Sequence, residues 1–320
     1  MRHLLTVLAL AVVLAPGTFV RTRVPDRYSA EVAITALPFD RREQNGLAVT
    51  GLWQLSGMGE TFGGYSAMLL FGRETIRLFS DRGFLLSVPR PDLPPLPDSR
   101  FSTRQLYPAG IPLVDLLDIE SVTYSPETGQ YWVGYENRHT IYRYAPRGDP
   151  QAYVEPAYTT HWSDNGGIEA MVRLTDGRFV AFHEVGGDFY AYPGDPTEGA
   201  EPEHGKVAWP NDYRPTDAVQ LPDGRLVVVL RRLELTHLPV FASRLVLLDP
   251  AAMTTQTPWR PQPLIQLERL VPRDNWEAVA VETDPDGTVR LWLASDDNRS
   301  VFQRSLLAHL RFTPPPRDVP

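Results

Sequence analysis

The sequence predicts an all-β protein, a β-propeller of four-stranded antiparallel blades. Three observations predict it. The first is an internal repeat, in which an acidic or hydroxyl-bearing residue opens a β-rich run, a tight turn follows, and a second β-rich run ends in a charged residue. The second is turn chemistry: Asp176-Gly177, Asp223-Gly224 and Asp286-Gly287 supply the positive-φ residue that hairpins need. The third is composition, with 31 prolines and 23 glycines among 320 residues and no long amphipathic helical pattern.

The clearest copy of the repeat is Asp118-Ile119-Glu120-Ser121-Val122-Thr123-Tyr124, which turns through Ser125–Gly129 and returns as Tyr131-Trp132-Val133-Gly134-Tyr135-Glu136. Further copies run from Glu169 to Glu184, from Asp217 to Arg231-Arg232 and from Glu277 to Asp296. A weaker one runs from Ser66 to Asp81-Arg82. Taking Ser66, Glu120, Glu169, Asp217 and Glu277 as equivalent gives spacings of 54, 49, 48 and 60 residues. Propeller blades repeat every ~40–50 residues. The count is five blades, with six as the alternative.

In chain order, residues 1–20 read as a signal peptide. Arg2 and His3 precede the apolar run Leu4–Ala15, and Ala15-Pro16-Gly17 offers small residues for cleavage. The alternative is an N-terminal anchor extending to Val20, short for a span of ~20 residues. Either way the expected location is periplasmic or secreted, with no membrane span in the mature domain. Residues 30–312 form the single propeller domain. It opens with strands Val32–Leu37 and Leu47–Leu55, and the second is expected to lie beside Leu306–Phe312 and close the ring. Third strands are expected at Thr140–Tyr144, Phe189–Tyr192 and Leu245–Leu248. Pro89–Pro97, Ala145–Pro150 and Pro193–His204 read as surface loops, and residues 313–320 as a disordered tail.

The net charge of -8 and the absence of a basic stripe argue against a nucleic-acid partner. With no cysteine, disulfides, thiolate zinc sites and cysteine nucleophiles are excluded. Oligomeric state is not legible.

Hairpin geometry locates the candidate site. The second strand of a hairpin returns to the end where the first began. Glu120 therefore shares a face with Glu136, Glu169 with Glu184, Asp217 with Arg231, Glu277 with Asp296 and Ser66 with Asp81. The first strand of each blade lines the channel, so carboxylates converge at its mouth. Convergent like charges are costly unless a cation sits among them. Oxygen-rich sites suit calcium or magnesium, so Glu120, Glu169, Asp217 and Glu277 are the candidate ligands of a divalent cation, calcium first. Glu136, His183 and Glu184 are the candidate acid–base groups, although His183 and Glu184 are adjacent and face opposite ways on a regular strand. Arg82, Arg231 and Asp296 are candidate substrate-binding residues, the arginines being suited to a phosphate or carboxylate or, equally, to neutralising the neighbouring carboxylates. The alternative for each carboxylate is a hydrogen bond to backbone amides of the adjoining blade. Gly64-Tyr65-Ser66-Ala67-Met68 is only half of a nucleophile elbow, lacking the second glycine and a following helix.

Several of these segments together resemble the family called "esterase-like activity of phytase", the phytase-like domain proteins. They are Phe62-Gly63-Gly64-Tyr65-Ser66-Ala67, Asp118-Ile119-Glu120-Ser121-Val122, Asn165-Gly166-Gly167-Ile168-Glu169-Ala170-Met171, Asp217–Arg225, Asp274–Val279 and Ser295-Asp296-Asp297-Asn298, with Phe302-Gln303-Arg304 after them. The resemblance covers roughly residues 46–312 and departs at Tyr65 and Ala67, where the family has an aliphatic residue and glycine. It implies an exported propeller similar to propeller esterases and phytases. Those phytases hold several calcium ions in acidic clusters and grip phytate with many basic side chains. Few basic residues accompany the carboxylates here, so a smaller phosphate ester or carboxylic ester is the expected substrate. Two functional readings follow: a metal-assisted hydrolase acting at the acidic mouth, or a non-catalytic propeller that binds a ligand or protein through residues such as Tyr135, Trp162, Trp209 and Tyr213.

Overall fold

A computed structural model describes residues 31–41, 43–59, 61–94, 101–106, 118–162, 166–210 and 212–317. The expected signal peptide lies outside the described residues. The chain begins with β1 (Glu31–Ala36), β2 (Glu43–Gln44) and β3 (Leu47–Met58). Blade one follows as β4 (Tyr65–Phe71), β5 (Thr75–Ser80), β6 (Phe84–Pro89) and β7 (Ser102–Gln105). Blade two is β8 (Ile119–Tyr124), β9 (Tyr131–Tyr135), β10 (Thr140–Tyr144) and β11 (Pro150–Val154). Blade three is β12 (Ile168–Arg173), β13 (Phe179–His183), β14 (Asp188–Tyr192) and β15 (Glu203–Lys206). Blade four is β16 (Arg214–Gln220), β17 (Leu226–Leu233), β18 (Phe241–Leu248) and β19 (Gln262–Gln266).

Blade five joins the two ends of the chain. Its order is β20 (Asn275–Thr283), β21 (Val289–Asp296), β22 (Ser305–Phe312) and then β3, with β1 and β2 added outside. β3 runs antiparallel to β22, Leu47 opposite Phe312 and Leu55 opposite Ser305. The closing strand is thus the expected one. The five first strands β4, β8, β12, β16 and β20 pack side by side in a closed ring. The protein is a five-bladed propeller.

The packing explains why the strands read as apolar runs rather than alternating ones. Each inner strand buries one face toward the preceding blade and the other toward the next. In β4, Met68 and Leu70 pack with blade five, while Ala67 and Leu69 pack with blade two. In β17, Val227 and Val229 face blade five, and Leu226 and Val228 face blade three. The buried core is accordingly divided among the five seams between blades.

The outermost strands are those the sequence hides. Pro150 begins β11 and Glu203-His204 begin β15, so two segments expected to be loops carry the edge strands. Edge strands pack on one side only; β7 and β15 are largely polar, β11 is mixed, and all three are largely exposed. Residues 313–317 continue beside the propeller: the Thr313 amide donates to Gly46 O (2.8 Å) and Arg225 donates to Pro315 O (2.7 Å). Among the described residues no helix is long and apolar enough to cross a membrane.

Candidate functional site

A β-bulge recurs near the start of all five inner strands. In each, one residue is skipped by the ladder: Ser66, Glu120, Glu169, Thr216 and Glu277. A bulge sets two residues against one and re-aims a side chain. On the returning strands, Asp81, Glu136 and Glu184 donate their amides to Gly64, Asp118 and Gly167 at 2.8, 2.9 and 3.2 Å. Arg231 and Asp296 pair with Arg214 and Asn275 at the equivalent places. The closing residues inferred from hairpin geometry therefore all lie on one face, the mouth.

Blades two and three bring carboxylates together. Asp118, Glu120 and Glu136 have oxygens within 4.8 Å of one another, as do Glu136, Glu169 and Glu184. Glu136 is common to both groups. Burial, followed by repulsion from Glu169 and Asp118, drives the Glu120 carboxyl well above the usual range. Burial and then Glu184 and Glu136 do the same to Glu169. Glu136 is pushed up to about 8 by burial and by Asp118 and Glu184. Glu169 is only 6% exposed and accepts no hydrogen bond from the described residues; the Arg231 guanidinium pulls its carboxyl down, but burial and repulsion from Glu184 and Glu136 outweigh that pull. A buried carboxylate in that state is costly, and the arrangement fits a hard cation with oxygen ligands.

The other predicted residues are placed differently. Glu277 is ion-paired with Arg231 and accepts from Asn275 Nδ2 at 2.8 Å, so its charge is already met. Asp296 accepts from the Asn298 amide at 2.9 Å, and burial with Glu277 and Asp81 nearby raises its carboxyl well above the usual range. Arg82 adjoins Asp81, whose carboxyl is raised to about 7 chiefly by burial and Asp118. Asp217 stands apart from the cluster. The blade-four bulge falls at Thr216, one residue earlier than the expected equivalence. Asp217 is 1% exposed and accepts from the amides of Ala218 and Val279, both at 2.8 Å, tying blade four to blade five. His183 stacks on Trp162 with ring centroids 3.9 Å apart, and its Nδ1 meets Val185 O at 2.8 Å. Burial lowers its pKa. Strand alternation sends Glu184 to the carboxylates and His183 into an aromatic layer.

Two residues that matter were not singled out from the sequence. Asp118 joins the cluster because it sits opposite Glu136 in the hairpin, with φ at 82°. Arg214 donates to Glu184 Oε1 at 2.7 Å. Register was the available signal for both, since each lies one pair beyond the position compared. Glu184 and Arg214 also wall a cleft of about 520 Å³ with Trp209, Tyr213, Gly186 and Gly187. Gly187 has φ at 72°, and a Cβ there would overlap the Val207 carbonyl oxygen. The glycine thus keeps this wall tight against the β15–β16 connection.

The remaining motifs are structural. A Cβ on Gly63 would lie 2.7 Å from Asp297 Oδ1, and Asp297 accepts from the Gly64 amide at 3.2 Å and from Ser305 Oγ at 2.8 Å. This contact locks blade one against blade five. At the opposite end of the propeller, Asp92, Glu282 and His309 also converge, but Arg90 fills that place at 2.7 Å from Asp92 and 2.6 Å from Glu282.

Solved structures share the fold at low identity. An endo-arabinase from Bacteroides thetaiotaomicron VPI-5482 is 14% identical, with 79% of this chain and 95% of that one covered and a TM-score of 0.52. A luciferin-regenerating enzyme is 11% identical over 78% of this chain and 92% of that one, TM-score 0.43. The extracellular domain of a protein described as a one-component system from B. thetaiotaomicron is 14% identical, TM-score 0.39. Here 87% of this chain is covered, spanning 38% of that one. Such likenesses speak to fold alone, and of these three the arabinase has a TM-score above 0.5. No curated protein matches the chain. The profile of the phytase-like family, described as "esterase-like activity of phytase", matches residues 60–299 and so takes in blades one to four, the first two strands of blade five and the whole carboxylate cluster, and the chain belongs to that family.

Proposed function

We propose that this chain is a divalent-cation-assisted hydrolase of small phosphate esters or carboxylic esters. The observation that carries the reading is Glu169, a buried carboxylate without a donor, facing Glu136 and Glu184. The residues that would hold the cation are Asp118, Glu120, Glu136, Glu169 and Glu184, which replaces the expected set containing Asp217 and Glu277. Calcium or magnesium fits their all-oxygen chemistry. When bound, the cation would polarise a substrate oxygen and acidify a coordinated water.

The chain's own residues supply the rest. Glu184 stands between the cluster and the cleft, so a substrate in the cleft presents its ester to the carboxylates. Arg214, beside Glu184, offers a guanidinium to the anionic part of the substrate. Glu136, pushed up to about 8 in the cation-free chain, would give up its proton to the cation, so it serves as a ligand whose loading depends on pH. Arg231 restrains Glu277 and lowers the repulsion felt by Glu169. Export rests on residues 1–20 alone.

The test is hydrolysis of nitrophenyl phosphate and nitrophenyl acetate, with calcium and with a chelator. Turnover is expected only with the cation, and Glu169→Gln should abolish it while circular dichroism stays unchanged. Full activity in that variant, or turnover indifferent to the chelator, would sink the reading. The aromatic walls Trp209 and Tyr213 favour a second reading, a binding platform, which predicts saturable ligand binding without turnover.

A further inference from the structure

The exposed apolar side chains are not scattered. Of the ten large hydrophobic residues exposed among those described, seven lie at the mouth face. Leu233 ends β17, and Leu235 and Leu238 lie in the β17–β18 connection, at 59%, 70% and 68% exposure. Val301 and Phe302 lie in the β21–β22 connection at 93% and 48%. Met58 ends β3, and Val185 follows β13. These loops belong to three consecutive blades. Leu93, Phe101 and Tyr153 make up the ten and lie elsewhere.

We propose that these loop tips dock the mouth face on a lipid bilayer. Protein interfaces bury an apolar centre inside a polar rim. Here the order is reversed, with charged groups at the centre and apolar side chains on separate tips around one side. That distribution suits tips that enter the acyl boundary while the charged centre stays at head-group level. The chain's own course points to the same occupant. Glu31 pairs with Met58, so β1 begins at the mouth face. The apolar run Leu4–Ala15 lies 15 residues upstream of Glu31, a reach of roughly 50 Å at most. A retained run would tether the chain within reach of a bilayer, with the attachment point at Glu31 on this face. Val185 also lines the cleft, but the residues varied in the test below, Leu235, Leu238, Val301 and Phe302, have no part in the hydrolase reading.

The absence of cysteine makes the test direct, since a single introduced thiol can carry an environment-sensitive fluorophore. The full chain is mixed with phosphatidylcholine vesicles. A label on Val301→Cys should shift to the blue, and one on Tyr153→Cys, on the edge strand β11, should not. The pairs Leu235→Ser/Leu238→Ser and Val301→Ser/Phe302→Ser should each weaken partitioning about tenfold, with Tyr153→Ser unchanged. These side chains are exposed, so circular dichroism should match the parent. Unchanged partitioning in both double variants overturns the proposal, as does a Val301→Cys label that stays water-like on the vesicle-bound chain, which would assign binding to the N-terminal run. A chain that does not bind vesicles overturns it as well.

Discussion

Asp217 and Glu169 are both buried carboxylates at the start of inner strands, and their surroundings give them opposite tasks. Asp217 accepts two backbone amides, one from the next blade. Asp217→Ala leaves both amides unpaired and is expected to cost about 2 kcal/mol, seen as a lower denaturant midpoint, with calcium affinity intact. Glu169 has no such donors and is opposed by Glu136 and Glu184. Glu169→Gln removes a repelled charge, so the metal-free variant should melt at a higher temperature than the parent at pH values where the carboxylates are ionised. The same variant should lose the stabilisation that calcium gives. A calorimetric titration together with thermal melts separates the two effects, and equal behaviour of the two variants would defeat the distinction.

The strand that closes the ring is the element on which the fold depends. β3 completes blade five against β22, whereas β1 is a further strand outside a blade that already has four. A chain starting at Glu43 should therefore fold, with Tm lower by about 5 °C for the lost packing of Val32 and Ile34. A chain starting at Gly59 lacks β3, exposes the β22 edge and should show no cooperative melt. At this scale the inner hairpins were legible because both faces of their strands are buried. The bulges were not, since a skipped residue leaves no mark in composition. That is why blade four was aligned on Asp217 instead of Thr216.

Across the whole molecule, closure of the ring forces acids from neighbouring blades into one mouth. Burial and mutual repulsion hold folded Glu136 at about 8 against an ordinary 4.5, and Asp81 at about 7 against 3.8. The folded chain thus binds protons that the unfolded chain has released. Without a cation, stability is greatest below the ordinary carboxylate values and falls as pH rises through about 8. Thermal melts in chelator should show Tm dropping between about pH 5 and pH 8. Calcium should restore it at the higher pH and add little at the lower, because protons and cation compete for the same oxygens. A Tm that rises with pH in chelator would show that the carboxylates are not coupled in this way.

The sequence by itself determined the repeat, the hairpins, the closing strand and the face on which the acids gather, and it left the blade number at five or six until ring closure fixed five. These follow from local rules: turn residues, strand-length apolar runs and the return of a hairpin to its own start. Tertiary structure alone decided which acids meet. Glu136 joins Glu169 across a seam between blades, Asp118 enters through register, Asp217 is drawn off by Val279 N and Glu277 by Arg231. Contacts between blades depend on ring closure and on one-residue bulges, and a shift of one residue sends a side chain to the opposite face.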